Sequence, residues 1–133
     1  MNQTELQSWC IEAGEPKYRG VQLFEWMYKH GASSFKAMSN VKKSFREHLE
    51  QNCIIQTLQP ENILSSNLDK SVKILFRTKD DQFIETVSMV DGQHHTVCVS
   101  SQIGCALDCG FCKTGQMGLK RNLNSGEIID QLI

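Results

Sequence analysis

The chain has 133 residues, enough for one modest core or two small ones, and its 40% hydrophobic and 22% charged content suits an ordinary folded protein rather than a disordered one. With 14 Lys and Arg against 15 Asp and Glu the net charge is −1, which excludes a strongly basic nucleic-acid module; neither residues 1–60 (seven against six) nor residues 61–133 (seven against nine) form a basic half. No apolar run approaches the roughly 18 residues of a membrane span, and Met1-Asn2-Gln3-Thr4-Glu5 lacks the basic and apolar parts of an export signal, so a cytoplasmic chain with no membrane contact is expected. Six cysteines in a reducing compartment point to metal or catalytic thiols rather than a disulfide framework.

Leu6, Trp9, Cys10 and Ala13 recur at i, i+3, i+4 and i+7, which predicts a helix over residues 3–13 stopped by Gly14 and Pro16. Val21, Phe24, Met27 and Tyr28 repeat the pattern in a second helix that Gly31 terminates, and Trp26 adds bulk to it. Ser39 or Asn40 is expected to cap a third helix that carries Val41, Phe45 and Leu49 on one side. Together these make a small helical bundle, assigned to residues 1–58. Its aromatic residues, Trp9, Phe24, Trp26, Tyr28, Phe35 and Phe45, sit at helical spacing and read as core rather than as a base-stacking surface. Lys36, Lys42, Lys43 and Arg46 read as a solvated helix face rather than as phosphate contacts, and Cys10 and Cys53 as buried bystanders.

Beyond Pro60 the period changes to two. Val72, Ile74 and Phe76 alternate with Lys73 and Arg77, Lys79-Asp80-Asp81-Gln82 reads as a turn, and Phe83 to Val90 returns, giving a hairpin over about 72–90. Phe83, Glu85, Val87 and Met89 share a face of the second strand, so Glu85 is either an acid held among apolar side chains or an ordinary partner for Lys73 or Arg77. After the Asp91-Gly92 turn a third strand is predicted at about 95–100, with Val97 and Val99 on one side and Thr96, Cys98 and Ser100 on the other. With the valines against a helix layer, Cys98 points into a barrel; the plainer reading is a small core thiol. Asn124-Ser125-Gly126-Glu127 has the form of a capping box and opens a helix from about 125 through Ile128, Ile129, Leu132 and Ile133. That helix has no terminating signal, so the chain is expected to be a fragment.

Between the last strand and the last helix, within 101–118, lie Cys105, Cys109 and Cys112 in the run Gly104-Cys105-Ala106-Leu107-Asp108-Cys109-Gly110-Phe111-Cys112. The C-x3-C-x2-C spacing puts three thiolates on one short loop, suited to a [4Fe-4S] cluster whose fourth iron is left open to a substrate. A zinc site completed by Cys98, His94 or His95 is the competing reading, although structural zinc ligands usually come as two separated pairs. Gly104 and Gly110 are expected to permit the tight loop.

These cysteines, the aromatic Phe111 before the last of them, the lead-in Cys98-Val99-Ser100-Ser101-Gln102 and the exit Gly118-Leu119-Lys120-Arg121-Asn122-Leu123 resemble the radical S-adenosylmethionine (SAM) RNA methyltransferases of the RlmN/Cfr type. Tyr18-Arg19 and Gln22-Leu23-Phe24-Glu25-Trp26 extend the resemblance more weakly, and Lys113-Thr114-Gly115-Gln116 departs from it. The resemblance implies an α/β protein: the helical bundle as an accessory domain that approaches RNA, then, in residues 59–133, the hairpin and the beginning of a partial (β/α)6 barrel. It implies that Cys105, Cys109 and Cys112 hold the cluster, that Phe111 and Gly110 lie beside bound SAM, and that Glu85 accepts a proton. Cys98 would work with a second, C-terminal cysteine, forming a disulfide that releases the product. The implied reaction methylates carbon 2 of adenosine in large-subunit rRNA and in tRNA next to the anticodon, through a methyl-cysteine intermediate. A flavodoxin or ferredoxin would supply electrons to what is expected to be a monomer. The alternatives are the sister reaction at carbon 8 and a non-catalytic, metal-stabilised RNA-binding module.

Overall fold

The structure is a computed structural model and describes residues 1–133. It divides into two compact units, residues 1–56 with Ile133 and residues 57–132.

The first unit is helical. α1 (Gln3–Glu12) opens with a capping box in which Asn2 Oδ1 accepts from the Glu5 amide at 2.9 Å and the Glu5 carboxylate accepts from the Asn2 amide at 2.8 Å. That reciprocal pair satisfies two groups the first turn would leave unpaired. α2 (Tyr18–Tyr28) buries Gly20 and Leu23, with Trp26 and Met27 partly buried against the same core, rather than the expected Val21-Phe24-Tyr28 stripe. Close approach of two helices decides the rotation: a Cβ on Gly20 would lie 2.5 Å from backbone atoms of Gln7 on α1, so only glycine lets them pack there.

A 3-10 turn (Phe35–Ala37), absent from the sequence reading, leads to α3 (Lys43–Asn52), which buries Phe45 and Leu49 as expected. The predicted cap is not used. Lys42 occupies that position without a side-chain bond, and Asn40 Oδ1 instead accepts from Trp26 Nε1 at 2.6 Å. Cys10, Leu23, Phe35, Met38, Val41, Phe45 and Leu49 form the core, each contributing about 1.5–3 kcal/mol for a side chain of Leu or Phe size.

The second unit is an antiparallel meander of four strands, β1 (Gln59–Ser65), β2 (Val72–Arg77), β3 (Phe83–Asp91) and β4 (His94–Cys98), in that spatial order. β1 escaped the sequence reading because it is an exposed edge strand with no alternation; Pro60 sits where no ladder donor is required and a bulge follows it. Ile74 opposite Thr86 and Phe76 opposite Ile84 define the buried sheet face. It packs with Leu58, Ile103, Leu123 and Ile128.

The third strand runs 94–98 rather than 95–100 and pairs antiparallel with β3, with its other edge open. All five of its residues are exposed, so Cys98 does not point into an enclosed interior. Beyond it come β5 (Gln102–Ile103), α4 (Lys113–Gln116), β6 (Arg121–Asn122), which pairs with β5, and α5 (Ser125–Asp130). α5 opens on the anticipated capping box of Asn124 and Glu127. No helix is long and apolar enough to cross a membrane.

Candidate functional site

The loop that carries the three cysteines hangs from a neck. Gln102 pairs with Asn122 and Ile103 with Arg121, and the neck is extended by the Lys120 amide donating to the Ile103 carbonyl and the Leu123 amide to the Ser101 carbonyl, both at 2.9 Å. Ile103 is 1% exposed and Leu123 7%, so this short ladder is driven into the core by its own side chains. At its mouth Gly104 has φ +76°, and a Cβ there would lie 1.8 Å from the Gly118 carbonyl oxygen. No other residue fits.

Within the loop, Cys105 Sγ accepts from the Leu107 amide at 3.5 Å, and the Cys112 amide donates to the Cys109 carbonyl at 2.9 Å. All three cysteines are reduced and partly buried. The backbone amides of Gly115 and Thr114, at the start of α4, hold the Cys112 thiol below the ordinary thiol value, favouring the thiolate that binds metal. As a donor set the loop therefore fits an iron-sulfur cluster: three soft sulfurs on one glycine-flanked turn, one of them biased toward its charged form. The thiols are not yet gathered into a group that would hold a metal ion.

Two expectations about the loop change. Gly110 has open space around its Cβ direction and no positive φ; the crowded glycines are Gly104 and Gly115, the latter 2.8 Å by its notional Cβ from the Cys109 amide nitrogen. Gly115 belongs to the stretch that departs from the family pattern, which is why spacing alone missed it. Phe111 is 94% exposed at the loop's tip, and Leu107 of the same loop is 80% exposed.

Glu85 and Cys98 occupy the opposite sheet face from the core. Cys98 stands across from Val87, so Glu85, two residues along β3, is its diagonal neighbour at about 7–8 Å between Cα atoms. Ser100 Oγ donates to the Glu85 carbonyl at 2.8 Å and keeps the two segments together past the end of β4. Gln131, buried at the end of α5, accepts from Thr86 Oγ1 at 2.7 Å and from the Ser100 amide at 2.8 Å, and donates to the Ser100 carbonyl at 2.8 Å. Glu85 is not enclosed by apolar groups. The face it shares with Phe83, Val87 and Met89 is open, and its carboxylate pairs with Lys73 Nζ at 3.0 Å with both side chains about half exposed. The cross-strand partner identified as the alternative in the sequence is the one present.

In the helical unit Lys36, Lys43 and Arg46 line a shallow groove together with Glu47 and Glu50. Lys43 lies 3.9 Å from Glu47, and Arg46 Nη1 donates to the Lys36 carbonyl.

Residues 1–55 match the family described as the ribosomal RNA large subunit methyltransferase N-terminal domain. Over 97% of its length the chain is 42% identical to a "Probable dual-specificity RNA methyltransferase RlmN" of Bacillus velezensis and, equally, to one of Halalkalibacterium halodurans. Along its whole length the chain resembles the RlmN type. A crystal structure of a radical SAM methyltransferase from Sphaerobacter thermophilus superposes on 99% of the chain with a TM-score of 0.94 at 40% identity, so the RlmN-type sequence and the fold agree along the whole chain. The chain spans about a third of the RlmN relatives, 35% of their length, and 39% of the solved methyltransferase.

Proposed function

We propose that this chain supplies the accessory domain, residues 1–58, and the opening of the radical SAM core, residues 59–133, of an RNA methyltransferase. The target atom is carbon 2 of adenosine in large-subunit rRNA and in tRNA beside the anticodon. The observation that carries the reading is the three-cysteine loop on its tight neck, in a chain whose similarity to RlmN relatives runs from end to end.

Cys105, Cys109 and Cys112 would hold a [4Fe-4S] cluster. When bound, that group supplies the electron and the open coordination position that cleave SAM into a carbon-centred radical. Carbon 2 of adenine, flanked by two ring nitrogens, is too electron-poor to attack a methyl sulfonium directly, so a radical route is the one that reaches it. Phe111, already solvent-facing at the loop's tip, offers an aromatic surface to the adenine of SAM, and Gly110 leaves its backbone open beside it.

The shared face of β3 and β4 then manages protons and release. Cys98 stands exposed on that face; as its sulfur bonds to that of a second cysteine, the bond from that cysteine's sulfur to the new methyl carbon breaks, the Cys98 proton goes to that carbon and one electron leaves to the flavodoxin or ferredoxin carrier, which frees the methylated base. The Glu85 carboxylate, beside it on the open face and paired with Lys73 Nζ at 3.0 Å, takes the proton from carbon 2. The helical unit faces folded RNA, and the target adenosine is unstacked to bring carbon 2 to the radical. A flavodoxin or ferredoxin delivers the electron to a cytoplasmic monomer.

Anaerobic reconstitution tests this reading. The chain is expected to take up about four irons and four sulfides, to turn brown and to give a reduced-cluster electron paramagnetic resonance (EPR) signal that Cys105→Ala abolishes. Colourless protein with one zinc would replace the enzyme by a metal-stabilised RNA-binding module. In the complete enzyme, Glu85→Gln is expected to lower methylation by at least about tenfold while leaving cluster content unchanged.

A further inference from the structure

The neck of the cysteine loop is gripped from outside the loop. Arg121, on β6, donates from Nε to Asp80 Oδ2 at 2.9 Å and from Nη2 to Asp80 Oδ1 at 2.7 Å; it also donates from Nη1 and Nη2 to the two Glu127 carboxylate oxygens, each at 2.8 Å. A guanidinium engaged in this fork on two carboxylates has its plane and position set. The preceding residue, Lys120, donates from Nζ to Gln82 Oε1.

Asp80 and Gln82 both belong to the turn between β2 and β3, which is itself braced. Thr78 Oγ1 donates to Asp80 Oδ1 at 2.7 Å and accepts from the Gln82 amide at 3.0 Å. The turn therefore reaches 41 and 38 positions along the chain to hold two consecutive residues where the cysteine loop closes. Closing a hairpin does not require this. Neighbouring Asp81, in the same turn, pairs only at 3.5 Å with Arg77 at the surface.

We propose that Asp80 and Gln82 are positioning residues for the three-cysteine loop, fixing the neck through Arg121 and Lys120 so that Cys105, Cys109 and Cys112 can converge on one cluster. The inference rests on the proposed cluster-holding role of those cysteines. Three ligands on a single loop must be held to within about 0.5 Å to share a cluster. Ile103 and Leu123 anchor the neck from the core side, the turn adds a tie on its outer side, and Glu127 holds only one side of the guanidinium.

The test uses this chain, reconstituted anaerobically with iron and sulfide, as wild type, Asp80→Asn, Asp81→Asn and Phe76→Leu. Iron loss to EDTA and the EPR spectrum of the reduced cluster are measured, with amide exchange at Lys120 and Leu123. Asp80→Asn is expected to lose iron at least fivefold faster than wild type and to broaden the EPR signal, with faster exchange at the neck; Asp81→Asn is expected to match wild type. Phe76→Leu thins the core of the same unit and separates positioning from stability. Equal acceleration by Phe76→Leu and Asp80→Asn, or an Asp80→Asn cluster indistinguishable from wild type, overturns the proposal. A wild-type chain that assembles no cluster overturns instead the role given to the cysteines.

Discussion

Gly104→Ala is the sharpest test of the neck. At φ +76° an alanine would bear about 1–2 kcal/mol of backbone strain, because its Cβ meets the adjoining carbonyl in the left-handed region. Its Cβ would also start 1.8 Å from the Gly118 carbonyl oxygen, well inside van der Waals contact, so the strand must retreat by more than an ångström. Retreat breaks the bond from the Lys120 amide to the Ile103 carbonyl, and forced overpacking of this kind costs about 1–3 kcal/mol. The sum, about 2–5 kcal/mol, lowers the melting temperature of residues 57–132 by on the order of 10 °C or more.

The assay must resolve the two units, since two compact units need not unfold in one step. Both tryptophans, Trp9 and Trp26, lie in the helical unit, so tryptophan fluorescence follows that unit and its transition is expected to stay put. Amide exchange at Lys120 and Leu123 follows the neck and is expected to accelerate by at least about tenfold, the equivalent of 1.4 kcal/mol. Gly110→Ala, with open space around it, is the matched control and is expected to change stability by less than about 0.5 kcal/mol. A Gly104→Ala protein that exchanges like wild type would refute the steric argument.

Further outcomes follow from the same contacts. Gln131→Leu leaves the Ser100 amide, the Ser100 carbonyl and the Thr86 hydroxyl without their partner, and urea unfolding of the second unit is expected to show a loss of about 1–3 kcal/mol. Arg121 holds the carboxyls of Asp80 and Glu127 below their ordinary values of 3.8 and 4.5, so the stability they contribute is complete above those values and is lost as pH falls through the lower folded ones. Neck amide protection should accordingly be constant from neutral pH down to about 5 and decline in stronger acid, in a profile that Asp80→Asn flattens. Burial pushes the thiols of Cys10 and Cys53 up, so iodoacetamide mapped by mass spectrometry is expected to label them last, with labelling rising only in alkaline solution.

The helical unit was legible in outline because each helix announces itself within a few residues: Leu6 and Cys10 at i and i+4 in the first, Phe45 and Leu49 at i and i+4 in the third. The errors came where a partner outranked the local pattern. Asn40 had the chemistry of a cap but is taken by Trp26, fourteen positions away, and Gly20 turned its helix by admitting another backbone. In the second unit the period of two located β2 and β3, while β1 was hidden because an exposed edge needs no apolar alternation. The candidate site divides the same way. The cysteine spacing was plain in the chain, and so were the neighbours that Glu85 and Cys98 each share a strand face with, but that the two faces coincide came from the register of β3 and β4. Whether Glu85 was enclosed or paired was not, because alternation names a face without saying what lies against it.

Short-range patterns settle much of this protein before any folding. Helix caps, strand periods and a C-x3-C-x2-C loop all act over separations of less than about ten residues, where the backbone geometry itself dictates which side chains meet. Long-range closure settles the rest. The grip of Asp80 on Arg121 spans 41 positions, the wedge of Gly104 against Gly118 spans the loop, and the bond from Thr86 to Gln131 spans 45. These pairings depend on how sheet, neck and final helix pack around Ile103 and Leu123, and packing is a property of surfaces that residues share only once the chain has folded.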